Sequence, residues 1–313
     1  MRSSRSMFLT STGAGIAAAA LPRAARAQTS KIRMGAPVSD AFAEPFYAQA
    51  AGAFAKIGYD VDAQNLSNAG AVVAAVAGGS LDLGVGDLVS SANAVNSGVP
   101  IQMLAAGGLY LASEPVVFLC VAKDSPVRVP RDLEGKTLSV PTLVGLTTVA
   151  VHAWMTQNGV DGSKVKIVEL TAAATPAAIA RGTIDAGLLG EPFYTRTRAD
   201  IRDVGRPYDA IAKTFLFTAW FAARSWIDAD RERAKRVVAA IYDTARWSNA
   251  HRPETLALYA NNGKMDVDAI RGMARTTYAT AISLAQLQPV FDVGMKYKLI
   301  EKPVDPAVFI AKL

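Results

Sequence analysis

A turn rich in hydroxyl-bearing residues and glycine leads into a predicted helix near residue 147. Thr142, Gly145 and Leu146 come first, and Thr147 and Thr148 place hydroxyl groups where the helix begins. Free N–H groups and the helix dipole at such a position favour an anion, and Gly145 lets the backbone approach it closely. An equally weighted alternative is that Thr147 only caps its own helix. The pattern therefore predicts either an anion-binding turn or an ordinary helix start.

Three further turns follow predicted strands and are expected to meet this one. In open α/β sheets, ligands bind beyond the carboxyl ends of the strands. The candidate contacts in these turns are Ser39, Asp40 and Phe42 after the first strand, Asn68, Ala69 and Gly70 after the second, and Asp87 after the third. Asn68 has the same capping alternative as Thr147. The turns contain neither Lys nor Arg. An organic acid, held by neutral donors or by an arginine from elsewhere, is therefore a better candidate than nitrate.

Two acidic residues, Asp87 and Glu191, follow predicted strands at matching places in the two halves of the chain. We expect them to accept hydrogen bonds from a ligand or from a contact that closes the site. The alternative is a hydrolase that uses both carboxyl groups across a cleft. His152 and His251 lack metal-ligand spacing, no G-x-S-x-G sequence occurs, and Cys120 lies in an apolar strand. The sequence therefore predicts no catalytic residue, no metal site and no cofactor.

Aromatic side chains near the proposed cleft are candidates to contact the apolar body of a ligand. They are Phe42, Tyr110, Phe193 and Trp220. For each of them, packing in the core is the more common role. His152, on an apolar predicted helix, is likewise expected to be a core residue.

Predicted strands and helices alternate from residue 31, which favours an α/β architecture with largely parallel sheets. The predicted strands are 31–36, 61–66, 81–86, 101–106, 137–140, 165–170 and 184–189, and the predicted helices are 45–55, 71–77, 88–96, 147–157 and 176–180. The apolar runs 115–122 and 214–223 are interpreted as segments that cross between two lobes. After residue 228 only helices are predicted. We expect lobe 1 to comprise 28–115 and 221–313, and lobe 2 to comprise 116–220.

One short motif occurs twice, about a hundred residues apart. Gly79-Ser80-Leu81-Asp82 and Gly84 align with Gly182-Thr183-Ile184-Asp185 and Gly187. The first glycine suits the left-handed end of a helix, and the apolar run after the aspartate suits a buried strand. Two similar α/β lobes around a cleft would explain the repeat. An equally weighted alternative is that such junctions occur in any doubly wound protein.

The first 27 residues are predicted to be a cleaved signal peptide. Arg2 and Arg5 precede a short apolar stretch, and Ala25–Ala27 forms an A-x-A cleavage site. The segment resembles a twin-arginine export motif, but Ser6 replaces the second arginine, so the export route stays open. No cysteine lies near the cleavage site. We therefore expect a soluble periplasmic protein without a lipid anchor.

The positive charge of the chain resides largely in this leader. The formal net charge is +6, and without the four leader arginines it falls to +2. No basic stripe with interleaved aromatic residues remains, so nucleic-acid binding is not expected.

The order of these motifs resembles a known family. The signal peptide, Pro45–Gln49, the repeated glycine–aspartate unit, Gly190-Glu191-Pro192 and Asp132–Leu138 are similar to the periplasmic substrate-binding proteins of nitrate/sulfonate/taurine-type ABC importers. The resemblance covers essentially the whole mature chain. It implies a two-lobed periplasmic-binding-protein fold of type II, with two hinge strands and C-terminal helices on lobe 1. Pyrimidine-synthesising relatives carry a cysteine-rich motif, and this chain has one cysteine, so that enzyme branch is not expected.

These observations predict a binding protein and not an enzyme. We expect it to capture a small organic anion, a sulfonate or a carboxylate whose body can be aromatic, by hinge closure. The expected partner is an ABC permease in the inner membrane, and the protein is expected to be a monomer. The main alternative is a secreted enzyme on the same fold that uses Asp87 and Glu191. The effector domain of a regulator would need a helix-turn-helix, and the signal peptide contradicts it.

Overall fold

The computed structural model describes residues 30–313, so the predicted signal peptide at 1–27 lies outside the described residues. The strands are β1 Ser30–Pro37, β2 Tyr59–Leu66, β3 Leu83–Asp87, β4 Ile101–Ala106, β5 Gly108–Leu111, β6 Val117–Ala122, β7 Thr137–Val140, β8 Lys166–Glu169, β9 Ala186–Gly190, β10 Ile201–Gly205, β11 Thr214–Leu216, β12 Thr218–Ala223 and β13 Thr277–Tyr278. The helices are α1 Glu44–Ala51, α2 Ala53–Lys56, α3 Ala69–Ala77, α4 Leu88–Asn96, α5 Leu146–Gln157, α6 Thr175–Ala180, α7 Phe193–Thr197, α8 Arg224–Ala229, α9 Arg231–Ala250, α10 Arg252–Asn262, α11 Val267–Ile270, α12 Leu284–Lys296 and α13 Pro306–Phe309. None of these helices is both long and apolar enough to cross a membrane.

The strands form two five-stranded sheets and one small sheet. The first sheet has the order β2-β1-β3-β12-β4, and the second has the order β10-β6-β9-β7-β8. In the first sheet β1, β2 and β3 are parallel and β12 is antiparallel; in the second β7, β8 and β9 are parallel and β6 is antiparallel. Helices flank both sheets, so the predicted α/β fold with largely parallel strands is confirmed.

The repeated glycines occupy equivalent positions in the two sheets. Gly79 and Gly182 end α3 and α6 with left-handed φ angles of 74° and 65°, as the motif predicts. Gly84 and Gly187 come two residues after the repeated aspartates, in β3 and β9. A Cβ on Gly84 would overlap side chains of α3, and one on Gly187 would overlap side chains of α6 and β7. The repeat therefore reflects close packing of a helix on a strand in each half.

The repeated aspartates tie each helix–strand junction to the neighbouring strand. The Asp82 carboxylate accepts a hydrogen bond from Arg33 N at 2.8 Å, and Asp185 accepts one from Thr137 N at 2.8 Å. Arg33 and Thr137 lie in β1 and β7, which are the equivalent strands of the two sheets. Both aspartates are thus structural in the same way.

The third sheet, β11-β5-β13, lies where the chain passes between the two larger sheets. The chain leaves after β5 through residues 112–116 and returns through residues 206–213, between β10 and β11. This differs from the predicted crossing segments at 115–122 and 214–223. The strand β6 lies wholly in the second sheet, and 214–223 is two strands in different sheets, interrupted at Phe217. The expected lobe boundary at residue 220 therefore falls inside β12, which the first sheet needs as its link between β3 and β4.

One predicted helix, 45–55, is broken in two. Gly52 has a φ of 68° and ends α1, and α2 starts directly after it. A single glycine in the left-handed conformation cannot continue an α-helix.

The C-terminal helices pack mainly on the first sheet, as predicted. Val237, Ile241 and Ala245 lie on one face of α9 and are fully buried. This face packs against α1 and β4, which extends the hydrophobic core of the first sheet.

Trp220 does not reach a cleft, contrary to expectation. It is fully buried in β12, and its indole Nε1 donates a hydrogen bond of 2.7 Å to Glu44 Oε2. Glu44 is also fully buried, and its Oε1 has no hydrogen-bond partner among residues 30–313. Burial raises the pKa of Glu44 from 4.5 to about 8, and the bond from Trp220 offsets only part of that effect.

This raised pKa predicts a specific pH dependence of stability. The folded-state pKa lies above the unfolded one, so the protonated Glu44 favours the fold at low pH and this contribution is lost as the pH rises through about 8. Between pH 6 and pH 9 the unfolding free energy of the wild type should fall by roughly 2 kcal/mol more than that of Glu44→Gln. Thermal unfolding at the two pH values measures the difference. The exposed Glu114→Gln should leave the loss unchanged. An equal loss in Glu44→Gln and the wild type would contradict the assignment.

Candidate functional site

A cavity of about 300 Å³ lies between the two large sheets, beyond the carboxyl ends of three strands from each. The first sheet contributes residues at the ends of β1, β2 and β3, and the second at the ends of β7, β8 and β9. The lining residues are Pro37, Val38, Ser39, Phe42, Leu66, Ser67, Asn68, Ala69, Asp87, Val117, Pro141, Thr142, Leu146, Thr147, Thr171, Ala172, Ala173, Leu188, Gly190, Glu191, Phe193, Tyr208 and Phe217. Apolar side chains predominate, and hydroxyl groups are the most common polar groups.

Ten of the sixteen predicted site residues line this cavity. They are Ser39, Phe42, Asn68, Ala69, Asp87, Thr142, Leu146, Thr147, Glu191 and Phe193. The strand-end rule therefore brings residues from both halves of the sequence to one place. Whether they bind a ligand stays a prediction.

The other six predicted residues, Trp220 included, lie outside the lining. Gly70 is exposed on α3. Tyr110 is fully buried, and its hydroxyl donates to Asp209 at 2.8 Å. Thr148 is buried, and its hydroxyl donates to the Thr142 carbonyl at 2.7 Å. The hydroxyls of Tyr110 and Thr148 are thus engaged within the protein.

Asp40 is held in a buried ion pair and does not line the cavity. Its Oδ1 accepts a hydrogen bond from Arg275 Nε at 2.9 Å, and its Oδ2 accepts one from Thr276 N at 2.6 Å. The Asp40 side chain is 1% exposed and that of Arg275 is 11% exposed. The pair therefore ties the turn after β1 to the C-terminal part of the chain.

The start of α5, predicted as an anion site or a simple cap, is occupied by a carboxylate from the other sheet. Asp87 Oδ1 accepts hydrogen bonds from Val89 N at 3.0 Å and Ser90 N at 2.9 Å, which caps α4. The same oxygen accepts a bond of 3.2 Å from Leu146 N in the first turn of α5. Thr147 does not cap the helix, since the N-cap residue is Gly145 and no side chain of its own turn bonds there. The helix dipole of α5 thus attracts Asp87.

Gly145 permits a close approach, but to protein and not to the cavity. Ser90 Oγ donates its hydrogen to Asp87 Oδ2 at 2.7 Å, and the Val144 carbonyl lies 3.2 Å from the same hydroxyl as an alternative acceptor. A Cβ on Gly145 would lie 3.2 Å from that Ser90 oxygen. A side chain at residue 145 would therefore crowd Ser90, which would have to shift by a few tenths of an ångström.

Glu191 forms a second contact between the halves. Its carboxylate accepts hydrogen bonds from Thr195 N at 3.1 Å, Thr195 Oγ1 at 2.9 Å and Ala274 N at 3.3 Å. Its backbone carbonyl accepts longer bonds from Asp40 N and Ser39 Oγ, both at 3.4 Å. Of the two roles expected for Asp87 and Glu191, the closing contact is the one that the geometry favours.

Burial raises the pKa of both carboxyl groups, and the hydrogen bonds that they accept work in the opposite direction. Each carboxylate already accepts hydrogen bonds from the protein itself.

The sequence reasoning missed three parts of the lining. The turn 171–173 follows β8, so the strand-end rule would have found it. Tyr208 and Phe217 lie in and beside the returning crossing segment, and their rings meet edge to face at 5.0 Å. No periodicity or motif marks that segment.

The remaining reactive side chains lie away from the cavity. Cys120 is fully buried in β6, and burial raises the pKa of its thiol. His152 is half-buried on α5 and stacks on Tyr297, and desolvation lowers its pKa. Within residues 30–313, no three His, Cys, Asp or Glu side chains are grouped so that they could hold a metal ion.

Removal of Arg275 should be strongly destabilising. Arg275→Ala leaves the Asp40 carboxylate buried without its cation, and such losses cost about 3–5 kcal/mol. Urea unfolding followed by circular dichroism measures the change. Arg246→Ala, which breaks an exposed pair with Asp243, should change the unfolding free energy by less than about 1 kcal/mol. If both substitutions lower the unfolding free energy equally, the buried pair stabilises the fold no more than the exposed pair does.

Removal of Asp87 should open the protein. Asp87→Ala takes away the bond to Leu146 and the cap of α4, at a cost of about 1 kcal/mol for the cap. We expect a larger radius of gyration in small-angle X-ray scattering of the ligand-free protein. Asp82→Ala is the matched control, because Asp82 accepts its hydrogen bonds from Arg33 within the first sheet. A radius unchanged in Asp87→Ala would disprove the role of this contact.

Comparison with solved structures identifies the fold. The periplasmic aliphatic sulphonate-binding protein SsuA from Escherichia coli is 18% identical, with a TM-score of 0.70 over 90% of this chain and 92% of that one. The alkanesulfonate-binding protein SsuA from Xanthomonas axonopodis pv. citri, bound to MOPS, is 16% identical, with a TM-score of 0.74 over 91% and 99%. The desulfurization enzyme DszB, as a mutant in complex with biphenyl-2-sulfinic acid, is 15% identical, with a TM-score of 0.66 over 90% and 96%.

No curated protein matches the sequence. The family described as NMT1/THI5 like matches residues 40–255, which is more than half of the chain. That segment contains both large sheets except β1, together with the whole cavity lining except Pro37, Val38 and Ser39. The resemblance in the sequence is thus confirmed at the level of family and fold: the chain belongs to the NMT1/THI5-like family and has the periplasmic-binding-protein fold.

Proposed function

We propose that this protein is the solute-binding component of an ABC importer and captures a small organic solute between two lobes. The observation that carries the proposal is the cavity, which is lined from three strand ends of each large sheet. A solute in that position touches both lobes only when they are closed. Binding therefore favours the closed state, and release requires opening.

The proposed lobes are built around the two large sheets and joined by residues 112–116 and 206–213. The contacts of Asp87 with Leu146 and of Glu191 with Ala274 involve residues of the cavity lining and join one lobe to the other. Hydrogen bonds at the rim are the kind of contact that breaks when such lobes separate.

The lining suits a solute with a sizeable apolar body. Phe42 of the first lobe and Phe193 of the second both line the cavity and are only partly buried. Apolar walls with a few convergent polar groups are typical of small-molecule sites, and a volume near 300 Å³ is at the lower end of their range.

Binding without turnover is the proposed activity. A desulfurization enzyme shares the fold, so the distinction rests on the site and not on the architecture. The engaged carboxylates of Asp87 and Glu191 and the buried Cys120 support a binding role. The rival function, an enzyme that uses the two carboxylates, predicts turnover of a bound compound that Asp87→Asn or Glu191→Gln abolishes.

The proposed partner is a permease in the inner membrane, and the proposed compartment is the periplasm, reached through the predicted signal peptide. The sulphonate-binding protein of Escherichia coli, which has the same fold, is described as periplasmic. We propose that the protein acts as a monomer.

Solute binding should be detectable directly with purified mature protein, residues 28–313. The screen combines thermal shift and calorimetry against sulfonates, aromatic and aliphatic carboxylates, and their amides. We expect at least one compound that raises the melting temperature and binds with one-to-one stoichiometry.

Phe193→Ala should lower the affinity for that compound about tenfold or more, because it removes an aromatic contact from the cavity lining. Tyr194→Ala, next along the helix and outside the cavity lining, should leave affinity nearly unchanged. Silence across the whole screen would argue against the proposal.

A further inference from the structure

The charges around the cavity do not suit an enclosed anion. Asp87 and Glu191 line it, and no Lys or Arg does so among residues 30–313. Both carboxyl groups are already costly to bury, as their raised pKa values indicate. A ligand anion enclosed beside them would add a further negative charge without a cation to offset it.

Several features that would otherwise attract an anion are engaged within the protein. Leu146 N, at the start of α5, donates to Asp87. Asn68 Oδ1 accepts a hydrogen bond of 2.9 Å from Ala71 N and so caps α3. Arg275, the buried cation beside the turn after β1, is paired with Asp40. The polar groups that remain along the lining are uncharged: the hydroxyls of Ser67, Thr142, Thr147 and Thr171 and the amide of Asn68.

One polar group at the cavity lacks a partner. Tyr208 lines the cavity and is fully buried, and its Oη accepts or donates no hydrogen bond within residues 30–313. Its ring packs edge to face against Tyr110 at 5.3 Å and against Phe217 at 5.0 Å. The negative charge of Asp87 is close enough to contribute to the raised pKa of Tyr208, after burial itself. The hydroxyl therefore stays protonated and has a hydrogen to donate. Its oxygen is covered in the free protein, so a solute reaches it when part of the cavity wall moves aside.

We infer that the cleft selects an uncharged organic solute, whose carbonyl or other neutral acceptor oxygen takes a hydrogen bond from Tyr208 Oη. This inference rests on the proposed solute-binding function and narrows its ligand class. It differs from the organic anion expected from the sequence. A neutral acceptor satisfies the buried hydroxyl, whose unmade bond otherwise costs free energy, and it adds no charge beside the two carboxylates.

The test compares solutes that share one apolar body and differ in charge. Calorimetry at pH 7.5 measures the affinities of benzamide, benzoate and benzylamine, and of the corresponding amide, acid and amine built on naphthalene and on a six-carbon chain. Benzenesulfonate and hexanesulfonate extend the anionic series. In each series that binds, we expect the amide to bind at least tenfold more tightly than the anion and the amine.

Two matched variants test the role of the hydroxyl. Tyr208→Phe keeps the ring and should lower the affinity for the amide about tenfold, because it removes one hydrogen bond from a buried donor. Tyr259→Phe also removes a buried hydroxyl that has no partner within residues 30–313, but outside the cavity lining, and should leave the affinity unchanged. Since neither hydroxyl is bonded in the free protein, both variants should keep the wild-type melting temperature.

The outcomes separate this inference from the function on which it rests. An acid, sulfonate or amine that binds as tightly as its amide overturns the uncharged class and leaves solute binding intact. Equal amide affinity in Tyr208→Phe and the wild type overturns the role of Tyr208. Absence of binding in every series overturns the proposed function itself.

Discussion

The carboxylate of Asp87 joins the first turns of two helices that belong to different sheets. It accepts amide hydrogens from α4 and from α5. Two helix dipoles therefore converge on one buried negative charge and offset the cost of burying it. Ser90 and Gly145 lie at the same contact. The Ser90 hydroxyl is within hydrogen-bond distance of the Val144 carbonyl, and Gly145 leaves space for that hydroxyl.

This use of Asp87 shapes the chemistry of the site. Sequence position alone places a helix start, a glycine and several hydroxyl groups at the mouth of a cleft, which is the usual composition of an anion site. In the folded protein one N–H of the helix start, that of Leu146, donates to Asp87, and Arg275 is paired with Asp40. Besides the carboxyl groups of Asp87 and Glu191, the lining consists of aromatic rings, aliphatic side chains and neutral polar groups. The charged groups at the cavity are thus acidic, and each already accepts hydrogen bonds from the protein.

Much of the fold follows from local sequence. The strands β4 and β7 and the helix α4 have the predicted bounds, because apolar periodicity and capping residues mark both ends. The repeated glycines predicted equivalent helix ends, and both are left-handed. The partner of α5 could not be predicted, since Asp87 lies 59 residues earlier in the chain. Trp220 and Tyr208 illustrate the same limit: both are aromatic residues near the crossing, and only tertiary packing decides that one is core and the other lines the cavity.

The position of β12 between β3 and β4 limits the order in which the two sheets can form. All five strands of the second sheet lie between residues 117 and 205, whereas the first sheet needs a strand that ends at residue 223. A chain emerging from its amino end can therefore complete the second sheet while β3 and β4 still present unpaired edges. Such edges are prone to pair with other chains. The interval before the last strand arrives is the period in which a newly made molecule most needs a chaperone.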